Sequence, residues 1–294
     1  MPELPEVETI RRGLAPTLEG ASFKRVELRR SDLRFPFPDR FAERLEGTPI
    51  LSLGRRAKYL VAELGSGEAL VMHLGMTGRF TVEARGAPHF EPGRFYDDSD
   101  RLAAHDHVVF HLSNGKRVVY NDVRRFGFML LMAPGELTAH PLFDGLGIEP
   151  IGNEFGAEAL ERLFADKARP LKSALLDQRL IAGLGNIYVC EALFRAKLSP
   201  ERKAATLAGK GARAREWREA LADEIRAVLA EAIEKGGSTL RDYAKADGER
   251  GAFQDEFRVY GREGELCVRK GCRGIVRRSV QAGRSTFFCG VCQK

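Results

Sequence analysis

Four of the five cysteines fall in the last 28 residues, ordered Cys267-x4-Cys272, then sixteen residues, then Cys289-x2-Cys292. Two close pairs flanking a hairpin-length insert suit a tetrahedral site of four thiolates. This is the strongest constraint on the fold, because both segments must converge on one ion. Ala282-Gly283 supplies a turn, with Ile275 to Val280 and Arg284 to Phe288 as the two strands. One Zn²⁺ is the expected ion, and four protein sulfurs leave no position for an activated water, so its role is structural. The alternative is four free thiols in an unstructured tail. Cys190 stands alone in an apolar segment, and in a reducing compartment the clustering favours metal over disulfide.

The same tail is basic. Between Arg258 and Lys294 nine Lys and Arg face only Glu263 and Glu265, a net of +7 against +6 for the whole chain. A rigid basic hairpin suits phosphate binding, although a merely solvated face has the same composition. The overall basic balance fits a polyanionic partner better than a small acidic substrate. No apolar run approaches the length of about 18 residues that spans a bilayer, and the first twenty residues carry four Glu and no signal-type apolar core. The expectation is a cytoplasmic protein with no membrane partner.

The length of 294 residues favours more than one core. An amphipathic helix is predicted from Pro5, with Val7, Ile10 and Leu14 on its apolar face and Gly13 and Pro16 ending it. From Phe23 to about Leu131 the pattern is mostly strand, with runs at Phe23 to Leu28, Tyr59 to Leu64, Leu70 to Leu74, His107 to Leu112 and Arg117 to Tyr120. A short helix is predicted at Arg40 to Leu45. This reads as a β-sandwich or barrel over residues 1–133, followed by a Gly- and Pro-rich linker at 134–152. Residues 153–257 are helical, with a long helix on Trp217, Leu221, Ile225, Val228, Leu229 and Ile233 ended by Gly236 and Gly237. The polar stretch Gly248 to Gly251 reads as a loop, and residues 258–294 form the cysteine unit.

Within the helical part, Leu175-Leu176-Asp177-Gln178 closes one helix and Gly183-Leu184-Gly185-Asn186 opens another. Glycines permit close backbone approach, and free N–H groups at a helix start attract phosphate. No strand precedes this turn and a third glycine is missing, so it is not a dinucleotide fingerprint. Asn186 alone would be an ordinary cap; beside a basic hairpin, a DNA-backbone contact is the better reading.

At the other end, Met1 precedes a residue with a small side chain, and its removal would free the secondary amine of Pro2. An α-amine of pKa near 7.7 to 8.0 is about a tenth neutral at pH 7, against less than about a thousandth for lysine. Such an amine can attack a sugar C1′ and form a Schiff base. While Met1 remains, the Pro2 nitrogen is a tertiary amide without a lone pair for attack. Taken alone, Glu3, Glu6 and Glu8 would simply complement the dipole of the first helix.

The segment Pro2-Glu3-Leu4-Pro5-Glu6-Val7-Glu8-Thr9 resembles the opening of the bacterial formamidopyrimidine-DNA glycosylases. The likeness recurs at Arg56-Ala57-Lys58-Tyr59, His73-Leu74-Gly75-Met76-Thr77-Gly78 and Asp122-Val123-Arg124-Arg125-Phe126-Gly127, then at Leu176-Asp177-Gln178 to Gly185-Asn186-Ile187-Tyr188, and at Arg284-Ser285-Thr286-Phe287-Phe288-Cys289. The resemblance implies an α+β fold: an N-terminal β-sandwich with flanking helices, then a helix-two-turn-helix domain with a zinc β-hairpin. It further implies Pro2 as nucleophile and Glu3 as the acid/base group that protonates the opening sugar. Glu6 would lie near the damaged base or support the site. Lys58 would contact substrate and phosphate, sharing the phosphate grip with His73, Asn186 and Arg284, and the cations Lys58 and Arg284 would also assist elimination. Met76, Arg124 and Phe126 would fill the gap left by an extruded nucleotide; Arg125 and Lys172 are further candidates for DNA contact. The stretch from Gly236 to Tyr260 would cap the lesion, and ligands Cys267, Cys272, Cys289 and Cys292 would hold the zinc.

Each role has an independent physical sense. Chemistry at C1′ requires the base to be flipped out, and side chains that occupy the hole recover part of that cost. The activity implied is excision of oxidised purines from damaged double-stranded DNA, with β- and δ-elimination by a monomer. The related endonuclease VIII branch, which prefers oxidised pyrimidines, is the nearest alternative; Leu4 and the Val7-Glu8-Thr9 continuation favour the purine branch. A non-catalytic lesion-binding zinc-finger protein is the alternative from another class. Two features depart from the family pattern: the four-residue spacing of the first cysteine pair and the long polar loop from Glu83 to Asp106.

Overall fold

Helix α1 (Leu4–Leu18) buries Val7, Ile10, Leu14 and Leu18 on one face, as the spacing predicts. It does not stop at Gly13 or Pro16 but runs through both. At Gly13 the reason for glycine is tertiary: a Cβ there would lie 2.6 Å from the Cβ of Pro92. Pro16 sits in the last turn, where burial of Leu14, Thr17 and Leu18 outweighs one missing backbone donor. The computed structural model describes residues 2–84, 86, 88–93, 102–238 and 252–294. These group into two units, one within Met1–Asp144 and Lys235–Ala252, the other within Gly145–Glu234 and Phe253–Lys294.

The first unit is a sandwich of two antiparallel four-stranded sheets. One has the order β1 (Phe23–Leu28), β6 (Asp106–Leu112), β7 (Arg117–Asn121), β5 (Arg79–Glu83). The other runs β2 (Ile50–Arg56), β3 (Tyr59–Leu64), β4 (Ala69–His73), β8 (Phe128–Met132). Alternate residues of both sheets, such as Phe23, Leu60, Met72, Phe80 and Phe110, join the apolar face of α1 and the short helix α2 (Phe41–Leu45) in one core. Part of the long polar loop packs back on this unit: Phe90 exchanges two backbone hydrogen bonds with Val82, and Glu91 is buried beside Arg79.

The second unit contains α3 (Ala157–Phe164), α4 (Leu171–Leu175), α5 (Asn186–Arg195) and α6 (Ala212–Glu234). Helix α5 is buried almost throughout, and a bidentate Arg195–Glu231 pair at 2.8 Å joins it to α6. No helix among the described residues is long and apolar enough to cross a membrane. Strands β9 (Val276–Gln281) and β10 (Arg284–Cys289) form the expected hairpin, with Gln281 opposite Arg284. Its two-residue turn has φ of +49° at Ala282 and +71° at Gly283, the left-handed pair that matches strand twist. Alanine is poorly suited to that conformation, by about 1 kcal/mol, whereas asparagine adopts it readily. Ala282→Asn should therefore raise the thermal unfolding temperature; a lower one would contradict the turn assignment.

Candidate functional site

The chemistry at the head of α1 follows from its orphan N–H groups. Glu3 is the N-cap, and it forms a capping box with Glu6, whose Oε2 accepts the Glu3 N–H at 2.8 Å. Two acidic groups at the positive end of the helix are electrostatically favoured there. Both are buried, as is Pro2. Glu6 Oε1 accepts two further hydrogen bonds, from the Ser238 N–H at 2.9 Å and the Ser238 hydroxyl at 3.0 Å. One carboxylate thus joins the residue after Pro2 to Ser238, near the start of the expected capping stretch Gly236 to Tyr260. Asp247 to Gly251, the core of that segment, lies outside the described residues. Glu8 has a different job. Burial alone would raise its pKa, but hydrogen bonds from Arg11 and Arg12 and the charges of Arg11 and Arg55 hold it below the usual carboxylate range.

Lys58 is buried in the turn between β2 and β3, where Arg56 pairs with Tyr59. The preceding Ala57 is left-handed at φ +52°. Across the sheet Tyr59 pairs with His73, whose ring also stacks on Phe128 at 5.1 Å. Burial pushes the His73 pKa down to about 4, with help from the charges of Lys58 and Arg34. The Gly75 N–H donates to His73 Nδ1 at 3.1 Å, so the neutral ring carries its hydrogen on Nε2. At neutral pH the His73 ring is therefore uncharged, with its Nε2 hydrogen available for donation.

The loops carrying Met76 (between β4 and β5) and Arg124 to Phe126 (between β7 and β8) interlock through glycines. A Cβ on Gly75 would lie 2.3 Å from the Phe126 carbonyl carbon, and one on Gly127 would lie 1.8 Å from the Tyr120 hydroxyl. Phe126 is consequently left 41% exposed, with the Arg124 guanidinium 4.7 Å above its ring. Arg125 is left-handed at φ +53° and approaches Asp32 at 3.9 Å. Leu33, Arg34, Arg124, Arg125 and Phe126 line an open cleft of about 450 Å³.

In the second unit, the tight turn before α5 is stapled by Gln178, whose side-chain amide donates to the Leu184 carbonyl and accepts the Gly183 N–H. Arg179 and Arg169 hold Asp177 well below the usual carboxylate range despite burial. Gly185 is the N-cap of α5, so Asn186 is the first helical residue rather than the cap. Its Nδ2 donates to the Ser285 carbonyl at 2.9 Å. The same carbonyl accepts from Lys172 Nζ at 3.0 Å, and Lys172 also donates to the Thr286 hydroxyl at 2.7 Å. Lys172 is fully buried, whereas Arg284, next to Ser285, is exposed. The structure therefore brings Asn186 and Lys172 together on the strand that presents Arg284.

Sequence reasoning also missed Glu191. Its buried carboxylate collects the N–H groups of Arg258, Val259 and Tyr260 and so pins the approach to the cysteine unit. The four sulfurs of Cys267, Cys272, Cys289 and Cys292 all lie within 4.8 Å of one another. Cys267 and Cys292 are 3.8 Å apart, and Cys272 and Cys289 3.7 Å. A tetrahedron of sulfurs about 2.3 Å from a zinc ion has edges of about 3.8 Å, so the donor set fits that ion.

The His73 assignment has a consequence in acid. An unfolded chain takes up a proton on this ring near pH 6.5, while the folded ring takes it up only near 4. Its contribution to stability is intact above 6.5 and erodes as pH falls through that window. NMR titration should show His73 still neutral at pH 5.5; protonation above pH 6 would contradict the geometry.

Residues 1–129 match the family model for the formamidopyrimidine-DNA glycosylase N-terminal domain, and residues 146–244 match that for the H2TH domain of the same enzymes. The chain is 62% identical, over 100% of both chains, to the formamidopyrimidine-DNA glycosylase of Beijerinckia indica. It is 58% identical to that of Rhizobium etli, again over 100% of both chains. Among solved structures it resembles the MutM (Fpg) protein of Thermus thermophilus, at 42% identity and a TM-score of 0.79, covering 99% of this chain and 98% of that one. It also resembles Lactococcus lactis Fpg in complex with DNA containing an abasic site, at 33% identity and a TM-score of 0.81 over 100% of both chains. With both family models matched in order and full-length relatives at this identity, the chain belongs to the formamidopyrimidine-DNA glycosylase family.

Proposed function

We propose that this chain is a bifunctional enzyme of base-excision repair, removing oxidised purines from duplex DNA and then cutting the strand at the abasic site. The observation that carries the reading is the head of α1, where Pro2 lies buried beside Glu3 and Glu6. Relatives support it: Lactococcus lactis Fpg has been solved with DNA carrying N7-benzyl-Fapy-dG and with abasic-site DNA.

In this mechanism the free Pro2 amine attacks C1′ of the flipped nucleotide, the base departs, and Glu3 protonates O4′ as the sugar opens. The product is a cationic imine between Pro2 and C1′. Elimination of the 3′ phosphate and then the 5′ phosphate leaves a one-nucleotide gap. Lys58 and Arg284 offset negative charge on the phosphates, while neutral His73 donates from Nε2 and Asn186 adds a phosphate contact. Met76 and Phe126 wedge into the vacated stack and Arg124 donates to the orphaned base. Arg125 would add a surface contact. Lys172, being buried, would act through the β10 strand rather than touch DNA. Glu6 supports both Glu3 and Ser238.

Cys267, Cys272, Cys289 and Cys292 would bind one Zn²⁺, which when bound supplies folding energy to the hairpin and no catalytic water. The DNA contacts assigned above come from one chain, so the protein is read as a monomer acting in the cytoplasm on nucleoid DNA. Excision of 8-oxoguanine opposite cytosine should exceed that of thymine glycol by at least about tenfold in kcat/KM, roughly 1.4 kcal/mol in transition-state stabilisation. The reverse preference would assign the chain to the oxidised-pyrimidine branch.

A further inference from the structure

Asp122 opens one of the site motifs but has no role in the chemistry above. It is fully buried, and its polar atoms hold the two interlocked loops together. Its N–H donates to the His105 carbonyl at 3.1 Å. Its carbonyl accepts from His107 Nε2 at 2.9 Å; a carbonyl only accepts, so that nitrogen carries the hydrogen. The side chain reaches further. Oδ1 accepts the Thr77 hydroxyl at 2.5 Å, and Oδ2 accepts the Gly127 N–H at 2.8 Å and the Tyr120 hydroxyl at 3.2 Å.

The Thr77 hydroxyl donates its hydrogen bond to Asp122, so its oxygen is left to accept the Arg124 N–H, at 3.0 Å. One carboxylate therefore fixes the loop that carries Met76 and both ends of the loop that carries Arg124 and Phe126. Between those ends the backbone passes through the left-handed conformation at Arg125. A non-glycine residue persists there only when its flanks are held.

We propose that Asp122 is the positioning residue of the gap-filling loop: by holding Thr77 and Gly127 on one carboxylate, it fixes Arg124 and thereby sets which opposite base the enzyme accepts. The inference rests on the proposed roles of Met76, Arg124 and Phe126. A guanidinium presents parallel N–H donors, which match the adjacent O2 and N3 acceptors of cytosine. Adenine offers N1 beside its own N6 amino donor, so a guanidinium held in place rejects it. A guanidinium on a loose loop accepts either.

The test uses the full-length protein and its Asp122→Ala, Asp122→Asn and Thr77→Val variants, with thermal melting to verify that each is folded. Rates of 8-oxoguanine excision are measured opposite cytosine and opposite adenine. Borohydride trapping is measured in parallel on a single-stranded abasic oligonucleotide, which has no opposite base. Asp122→Ala should lose at least tenfold in kcat/KM opposite cytosine, with the cytosine-to-adenine ratio falling towards one and trapping staying within twofold of the parent. Asp122→Asn should recover part of the ratio, and Thr77→Val should shift it in the same direction by a smaller factor. Should Asp122→Ala fail to fold, the other two variants carry the test. Variants that keep the parental ratio, or that lose trapping in proportion to excision, would overturn the inference alone. A parent that excises nothing would overturn the functional reading itself, and this inference with it.

Discussion

Everything at the candidate catalytic end depends on how α1 begins. An α-helix starts with N–H groups that have no partner inside it, and a buried start must find acceptors elsewhere. Here Glu6 reaches back to the N–H of Glu3 at 2.8 Å. That bond fixes the backbone immediately after Pro2, so helix capping helps to set the position of the buried Pro2. The same carboxylate takes both donors of Ser238. Removing it would leave buried donors without acceptors, at about 1–3 kcal/mol each.

The second unit repeats the device with a neutral acceptor. The Ser285 carbonyl, in the strand that follows the hairpin turn, takes donors from Asn186 on α5 and Lys172 on α4. The hairpin is thereby tied to the turn that Gln178 staples, and the exposed Arg284 projects from a strand fixed on both sides. A buried lysine requires such partners, since desolvation of an unpaired ammonium would be prohibitive. In both units, backbone geometry near a functional group is fixed by one acceptor that gathers several donors, the Glu6 carboxylate in the first and the Ser285 carbonyl in the second.

That division explains what could be read from the sequence. The cysteine hairpin was legible because metal-ligand spacing and an Ala-Gly turn specify it locally, and β9 and β10 lie within one residue of the expected strands. The sandwich was legible from the alternating or β-branched runs in β1, β3, β4, β6 and β7, while β2, β5 and β8 gave no separate signal. Motif resemblance, not periodicity, singled out Pro2, Glu3, Lys58 and Arg124. What escaped were pairings between residues far apart in the chain. Gly13 looks like a helix stop until Pro92 is placed against it. Lys172 looks like a surface cation until its burial is known. Neither the neutrality of His73 nor the acceptor roles of Glu191 and Asp122 leaves a local trace, because each depends on partners supplied by other elements.

The proposed chemistry begins at the Pro2 nitrogen. Protein from which Met1 has been removed should be incubated with a duplex containing 8-oxoguanine, reduced with borohydride, digested and mapped by mass spectrometry. One covalent sugar remnant is expected, on the peptide that begins at Pro2 and with its mass localised to that residue. An adduct on Lys58, or no adduct despite excision of the base, would contradict it.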